Sequence, residues 1–307
     1  MKSGSKTTCS TGSRVKCWPN SASTVELSPE IRAYYEEAPE AERLGTGPFQ
    51  LEFERTKEIL AERLPGSPAV VLDVGGGPGT YALWLAQLGY EVHLIDPVAR
   101  LVTQAQQRSD EAVRHIASCS VGDARELKSD GSSVDAILEL GPLYHLIHHK
   151  DRLQALKESF RVLKPGGNVF VAAISRFASI LDGVSRDLLK DERFQRIVNA
   201  DLDEGIHRNE TGRLEYFTTA KFHRPEELQS EIVDAGFREV EVLGIEGPAW
   251  MLPDFEERWR DERRRLDLLA LARCTAHEPS MRGASAHLLG VGRKPISGVD
   301  TRTPGQH

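Results

Sequence analysis

Long apolar runs are missing from this chain of 307 residues. None approaches the ~18 consecutive apolar positions of a membrane-spanning helix, and the longest, around residues 70–74 and 169–174, have the length of buried strands. The chain therefore reads as one that does not cross a bilayer. Cysteine is scarce as well: Cys9, Cys17, Cys119 and Cys274 make no C-x-x-C pair. That usage argues against a disulfide framework or a zinc cluster and fits reduced thiols in the cytoplasm. Positive charge is in deficit, with 39 Lys and Arg against 46 Asp and Glu and a net charge of −7. A phosphate-neutralising surface usually shows a basic excess, so no nucleic-acid partner is expected. No internal repeat is present, which excludes solenoids.

What is there suffices for a core. The hydrophobic share is 39%, with 26 Gly besides, as in ordinary globular chains. At about 150 residues per domain, the length fits two domains or one large α/β domain carrying an insertion. Residues 1–27 are rich in Ser, Thr, Lys and Gly and hold no acid before Glu26. They read as a disordered tail, basic like an organellar transit peptide but without its amphipathic arginine pattern. Residues 297–307 read as a second tail.

Between the tails, residues 28–296 read as one domain. A helical cap over residues 28–66 precedes strands at 69–74, 91–95, 115–121, 134–140 and 168–174, which alternate with helices at 80–88, 98–108 and 152–163. Such alternation, with turn chemistry at the junctions, is the pattern of a doubly wound parallel sheet. A helix at 225–235, a strand at 238–244, a long helix at 253–276 and a strand at 286–292 complete seven strands. The arginines of that long helix interleave with acids, as on an exposed face laced by i,i+4 pairs. Residues 175–223 interrupt the alternation after the fifth strand. A segment leaving a sheet there hangs over the crevice where α/β ligands bind, and reads as a lid.

The most informative residues are Leu72-Asp73-Val74-Gly75-Gly76-Gly77-Pro78-Gly79-Thr80, which join the first strand to a helix. Glycines there let the chain turn sharply and a ligand approach the backbone. The dinucleotide spacing G-x-G-x-x-G fails: begun at Gly75 it meets Thr80 instead of glycine, and begun at Gly76 it meets Pro78. An acid, Asp73, stands before the loop instead. The pattern D-x-G-x-G-x-G resembles motif I of the class I S-adenosylmethionine (SAM)-dependent methyltransferases, and the resemblance covers about residues 68–174.

The resemblance implies a Rossmann-like, doubly wound, seven-stranded and mostly parallel sheet with an N-terminal helical cap and a lid insertion after the fifth strand. It implies SAM as cofactor, held by Asp73, Gly75, Gly76, Gly77 and Gly79. Asp96 would take the ribose hydroxyls, Asp123 and Ala124 the adenine, and Glu139 and Leu140 would close the site at the end of the fourth strand. The plainer alternative is that Asp96 caps a turn with Pro97 and Asp123 caps a helix.

Methyl transfer from a sulfonium is an in-line displacement, so the acceptor must face the methyl group. In this family that place is the end of the fourth strand, here Gly141-Pro142-Leu143-Tyr144-His145. Its departure from the Asn/Asp-Pro-Pro-Tyr/Phe of nucleobase N-methyltransferases argues against that substrate. His145 is the candidate general base and Tyr144 a positioning group; alternatively, His145, His148 and His149 line a solvated loop. His207, Tyr216 and His223 are second candidates from the insertion. Its apolar Phe177, Ile180, Leu181 and Phe217 suit a small-molecule pocket, and Trp250 reads as packing. Tyr34 and Tyr35 would fold over the cofactor, with Arg43 on its carboxylate. Glu139 and Asp182 are too weak a pair to suggest a metal, so none is expected. The expected activity is methylation of an O, N or C atom of a small molecule. RNA or protein methylation and non-catalytic SAM binding are the alternatives.

Overall fold

The computed structural model describes residues 27–296. The expectations for residues 1–26 and 297–307, with Cys9 and Cys17, lie outside the described residues. Three helices come first: α1 (Pro29–Glu37), α2 (Glu40–Arg43) and α3 (Phe49–Arg63). The sheet then begins with β1 (Val70–Val74), α4 (Thr80–Gln87), β2 (Glu91–Asp96), α5 (Ala99–Asp110), β3 (Ser118–Val121) and β4 (Val134–Glu139). A single turn, α6 (Pro142–His145), leads to α7 (His149–Val162) and the long β5 (Leu163–Ser175).

The insertion contributes α8 (Ala178–Ser185), α9 (Glu192–Glu204) and two short strands, β6 (Ile206–His207) and β7 (Ala220–His223). The chain closes through α10 (Pro225–Asp234), β8 (Arg238–Gly244), α11 (Phe255–Arg260), α12 (Glu262–Thr275) and β9 (His287–Arg293).

Strands β3, β2, β1, β4 and β5 pair in that order, all parallel. Strand β9 runs antiparallel to β5, and β8 antiparallel to β9. These are the seven expected strands. Two more come from the insertion: β7 pairs with Ile174 and Ser175 at the end of β5, and β6 pairs with β7. The insertion is thus tied to the sheet edge by backbone hydrogen bonds.

Apolar residues on both faces make the central strands buried. In β1, Val71, Leu72 and Val74 are at most 1% exposed, as a parallel strand covered by helices on both sides requires. One face packs under α3, α4 and α5 through Leu60, Leu85, Leu94 and Ala105. The other packs under α7 and α10 through Leu72, Ile137, Leu156 and Ile232. The helix expected at 253–276 is broken in two. Asp261 adopts extended backbone (φ −83°, ψ 119°) and its carboxylate accepts from the Arg264 amide, so it ends α11 and caps α12. The arginines there pair with acids as expected, for instance Arg258 with Asp254 at 2.7 Å.

Candidate functional site

A cavity of about 980 Å³ lies over the C-terminal ends of β1, β2 and β4, closed from above by α1 and by the insertion's loop 208–219. Its floor is the glycine loop. Gly75 has φ +70°, and its amide donates to the Ile95 carbonyl at 2.6 Å; a Cβ there would stand 2.6 Å from the Pro142 ring. A Cβ on Gly76 would meet the Asp73 carboxylate at 2.6 Å. The loop is therefore glycine for steric reasons at two positions, and at Gly77 for its φ of +55°.

Carboxylates stand at three strand ends. Asp96 binds the loop: its Oδ2 accepts from the Gly77 amide at 2.9 Å and its Oδ1 from the Val98 amide at 2.8 Å. The turn-capping role considered for Asp96 is therefore present, yet each oxygen keeps one lone pair and the residue lines the cavity. Burial pushes its carboxyl up to about 6. Asp73 is pushed up to about 7 by burial and by neighbouring Asp96, and its Oδ2 is buried without a hydrogen-bond partner. Asp123, half-buried, is gripped by the Arg125 guanidinium at 2.6 Å; burial works to raise its carboxyl, but Arg125 outweighs it and holds it below the usual range. Ala124 and Leu140 also line the cavity.

Two expected cofactor residues are elsewhere. Glu139 corrects the sequence reading: it is fully buried, bonded to the Ser159 hydroxyl of α7 and pushed up to about 7 by burial. Neighbours along a strand face opposite sides, so Leu140 reaches the cavity and Glu139 the layer beneath α7. Gly79, at φ +79°, begins α4 and packs toward Ile116 and Ala105 rather than toward the cavity.

Above the floor, His145 and Tyr144 line the same cavity on α6. The Nδ1 of His145 lies 3.3 Å from the Thr219 carbonyl and its Nε2 2.7 Å from the Tyr35 hydroxyl. A carbonyl only accepts, so Nδ1 carries the proton and Nε2 accepts from Tyr35. Burial pushes the imidazole down to about 4 and the Tyr144 phenol up. The imidazole is therefore neutral, and its one acceptor lone pair is taken by the Tyr35 hydroxyl at the cavity wall. His148 and His149 are exposed, and His148 alone of the two lines the cavity.

The other expected candidates are structural. His207 is buried between Asp201 (2.8 Å) and the Tyr216 carbonyl (2.7 Å), with its ring stacked on Phe222. Tyr216 donates to Asp191 within the lid, and His223 is fully buried 3.4 Å from Glu231. None of the three lines the cavity, and of the four apolar insertion residues only Phe217 does. Trp250 donates to the Ala284 carbonyl, away from the cavity. Tyr34, Tyr35 and Arg43 all reach it, but Arg43 is held by Glu40 at 2.9 Å and Glu52 at 2.7 Å.

Two features escaped the sequence reading. One is the loop segment 208–214, whose only signal was its Asn209-x-Thr211-Gly212 turn chemistry. The other is a buried network behind Arg43, where ligand atoms of Glu52, Glu246 and His287 lie within 4.8 Å of one another. Glu246 there takes the Ser285 hydroxyl and His287 Nδ1, each at 2.5 Å. Burial opposes charge on His287, but Glu52 and Glu246 outweigh it and raise its pKa. The network closes by protons and ion pairs.

Comparison with known proteins bears on this cavity. A family model described as a methyltransferase domain matches residues 71–167. The ubiquinone/menaquinone biosynthesis C-methyltransferase UbiE of Chromobacterium violaceum is 31% identical over 183 residues, 58% of this chain and 70% of that protein. A probable human tRNA methyltransferase 9B is 32% identical over 119 residues, 38% of this chain; the match spans only 23% of that relative. Among solved structures, the complex of the Haloferax volcanii Trm112 methyltransferase activator with a putative methyltransferase matches with a TM-score of 0.54 at 19% identity, over 87% of this chain and 98% of that one. At that identity the likeness is one of fold.

Proposed function

The chain belongs to the class I SAM-dependent methyltransferases, and from that premise we propose that it methylates a small molecule held in the cavity between the glycine loop and the lid. The observation that carries this reading is the cover that cap and lid put over a cavity still partly open to solvent. Cap and lid meet over the cavity: the Thr218 hydroxyl donates to the Glu30 carbonyl and the rings of Tyr34 and Phe217 lie 5.3 Å apart. At about 980 Å³ the space is at the upper end for a ligand pocket and suits a cofactor beside a modest acceptor. In this reading residues 28–296 are one catalytic domain, with residues 28–66 as cap and 175–223 as lid.

The residues fit the cofactor. An unpartnered buried oxygen on Asp73, open lone pairs on Asp96 and backbone bared by Gly75, Gly76 and Gly77 suit a ligand bearing hydroxyls and a positive charge. When bound, SAM supplies a methyl group activated by a sulfonium. Asp96 would accept from the ribose hydroxyls through charge-assisted bonds, while Asp123 and Ala124 would meet the adenine. Arg43 already serves two carboxylates, so a ligand carboxylate would have to share it. Tyr144 would position the acceptor and His145 would take its proton at Nε2. Methyl placement demands orientation more than strong basicity, which a neutral, half-buried imidazole satisfies once Tyr35 releases its Nε2.

The test is calorimetric titration with SAM and S-adenosylhomocysteine, followed by methyl-labelled SAM in a mixed metabolite extract and, separately, in total tRNA and protein. Label in low-molecular-weight products supports the reading. Label confined to tRNA or protein overturns it.

A further inference from the structure

Two lid residues other than glycine have positive φ, Asp187 in the ordinary left-handed region and Phe217 in one that glycine alone commonly adopts. Phe217 has φ +65° and ψ −164°, and such strain persists only where the surroundings enforce it. Here they do. The Asn209 side-chain amide donates to the carbonyls of Phe217 at 2.6 Å and Arg213 at 2.7 Å. On the preceding peptide, His207 donates to the Tyr216 carbonyl. The result is an aromatic ring turned into the cavity, 5.3 Å from the Tyr34 ring, 6.5 Å from Tyr144 and 5.9 Å from His145.

A second observation concerns what already occupies the base. His145 Nε2 holds a phenol, the hydroxyl of Tyr35, at 2.7 Å with the two rings edge to face. Tyr35 belongs to α1, the cap helix, rather than to the sheet. The site therefore accommodates an aryl hydroxyl on Nε2 in good hydrogen-bond geometry, supplied in this structure by the chain's own cap.

We propose that the acceptor is a neutral hydroxyarene, whose flat ring enters among Tyr34, Tyr144 and Phe217 and whose hydroxyl replaces that of Tyr35 on His145 Nε2. The proposal rests on the small-molecule reading above and narrows it to a substrate class. Aromatic walls favour a flat π-surface by edge-to-face and offset contacts. Of the arginines that line the cavity, Arg43, Arg125 and Arg213 are each paired with acids, which leaves Arg208 on the exposed lid loop, and an acceptor that bonds to the Nε2 lone pair must bring its own proton. An ammonium acceptor has no lone pair to give and would lie beside a sulfonium of like charge.

In the balanced step the acceptor oxygen gives a lone pair to form the C–O bond as the methyl–sulfur bond breaks with its electron pair left on sulfur. The products are the aryl methyl ether and neutral S-adenosylhomocysteine. The phenolic proton passes to Nε2 as the C–O bond forms, and from there to solvent.

The test uses the full chain with methyl-labelled SAM and four probes offered separately: 1-naphthol, catechol, benzylamine and cyclohexanol, with total tRNA as a fifth arm. Labelled ethers of 1-naphthol or catechol are expected, with little label on benzylamine or cyclohexanol. Phe217→Ala should raise KM for the hydroxyarene at least tenfold while kcat changes less, and Phe217→Trp should restore much of it. Tyr35→Phe should lower that KM severalfold, because it removes the competing phenol; a purely structural Tyr35 would raise it or leave it alone. Each variant is checked for SAM binding, so that a folding defect is separated from a pocket defect. Label on benzylamine or cyclohexanol in preference to both hydroxyarenes overturns the substrate class but leaves the small-molecule reading standing. Label on tRNA alone overturns both. Protein that binds SAM but methylates neither hydroxyarene, with Tyr35→Phe equally inert, overturns the substrate class.

Discussion

The two halves of the cavity are built in opposite ways. The floor is local: Asp73 lies in β1, Gly75 to Gly77 follow it without a break, and Asp96 ends the neighbouring strand in register with it. The roof is assembled from segments far apart in the chain, with Tyr35 on α1, His145 on α6 and Phe217 on the insertion, and it meets through side chains that reach one another or a neighbouring carbonyl. A floor made of strand ends is rigid because the sheet fixes it. A roof of this kind is free to vary in sequence while the floor keeps its ligand, which is how one fold serves many acceptors.

Substitutions in the floor should do the most damage. Gly75→Val places side-chain atoms against Pro142 in a left-handed backbone position, and overpacking with strain should cost about 2–5 kcal/mol of stability. A thermal melt lowered by several degrees, together with lost SAM binding, is the expected result; a melt like that of the parent would show that the loop yields to a side chain.

Next in size is Asp96→Ala. It removes the acceptor for Gly77 and Val98 as well as the proposed ribose partner, and SAM affinity should fall by roughly 1.5–3 kcal/mol. Unchanged affinity by calorimetry would break the assignment.

The roof should fail differently. His145→Ala should lower turnover by about 10²-fold while SAM affinity stays within about twofold, because its partners are Tyr35 and Thr219 rather than the glycine loop. Equal losses in both would mean that roof and floor are one unit.

The smallest expected effect is a pH dependence that separates them. The Asp96 carboxyl sits at about 6, and hydroxyl donors favour its ionised form. SAM affinity should therefore rise with pH through 6 and be about tenfold weaker at pH 5 than at its plateau. His145, pushed down to about 4, stays neutral across that window and adds no dependence of its own. Asp73, pushed up to about 7, titrates in the same window with the same sign, so Asp96→Asn should lose the rise near pH 6 and keep the one near 7; a profile between pH 5 and 8 left unchanged by that substitution would break the Asp96 assignment.

The same contrast explains which residues were legible in the sequence. Asp73, Asp96 and Asp123 announce themselves because each directly follows or ends a strand pattern, and a parallel strand must deliver its last residues to one edge. Glu139 was misjudged for the complementary reason: β4 is buried on both faces near its end, so burial of Ile137, Leu138 and Glu139 alike hides which face meets the cavity. His207, Tyr216 and His223 look like a chemist's choice in sequence, yet His207 and Tyr216 are consumed by hydrogen bonds within the lid and His223 is buried against Glu231, outside the cavity. The polar residue that matters there, Asn209, was indistinguishable from any loop asparagine. Asp261 broke an expected helix because its side chain offers the backbone a cap, a choice that the surrounding acids and arginines conceal.

Sequence alone determined the strand-and-helix alternation, the glycine loop and the carboxylates at three strand ends, since each depends on neighbours within a few residues and on a period that repeats. Tertiary structure alone decided which imidazole turns its acceptor nitrogen to the cavity, which tyrosine occupies that nitrogen and which aromatic ring is driven into the cavity. Those outcomes depend on segments up to 188 residues apart meeting, and the energy that selects them lies in burial and hydrogen-bond completion, which no local pattern encodes.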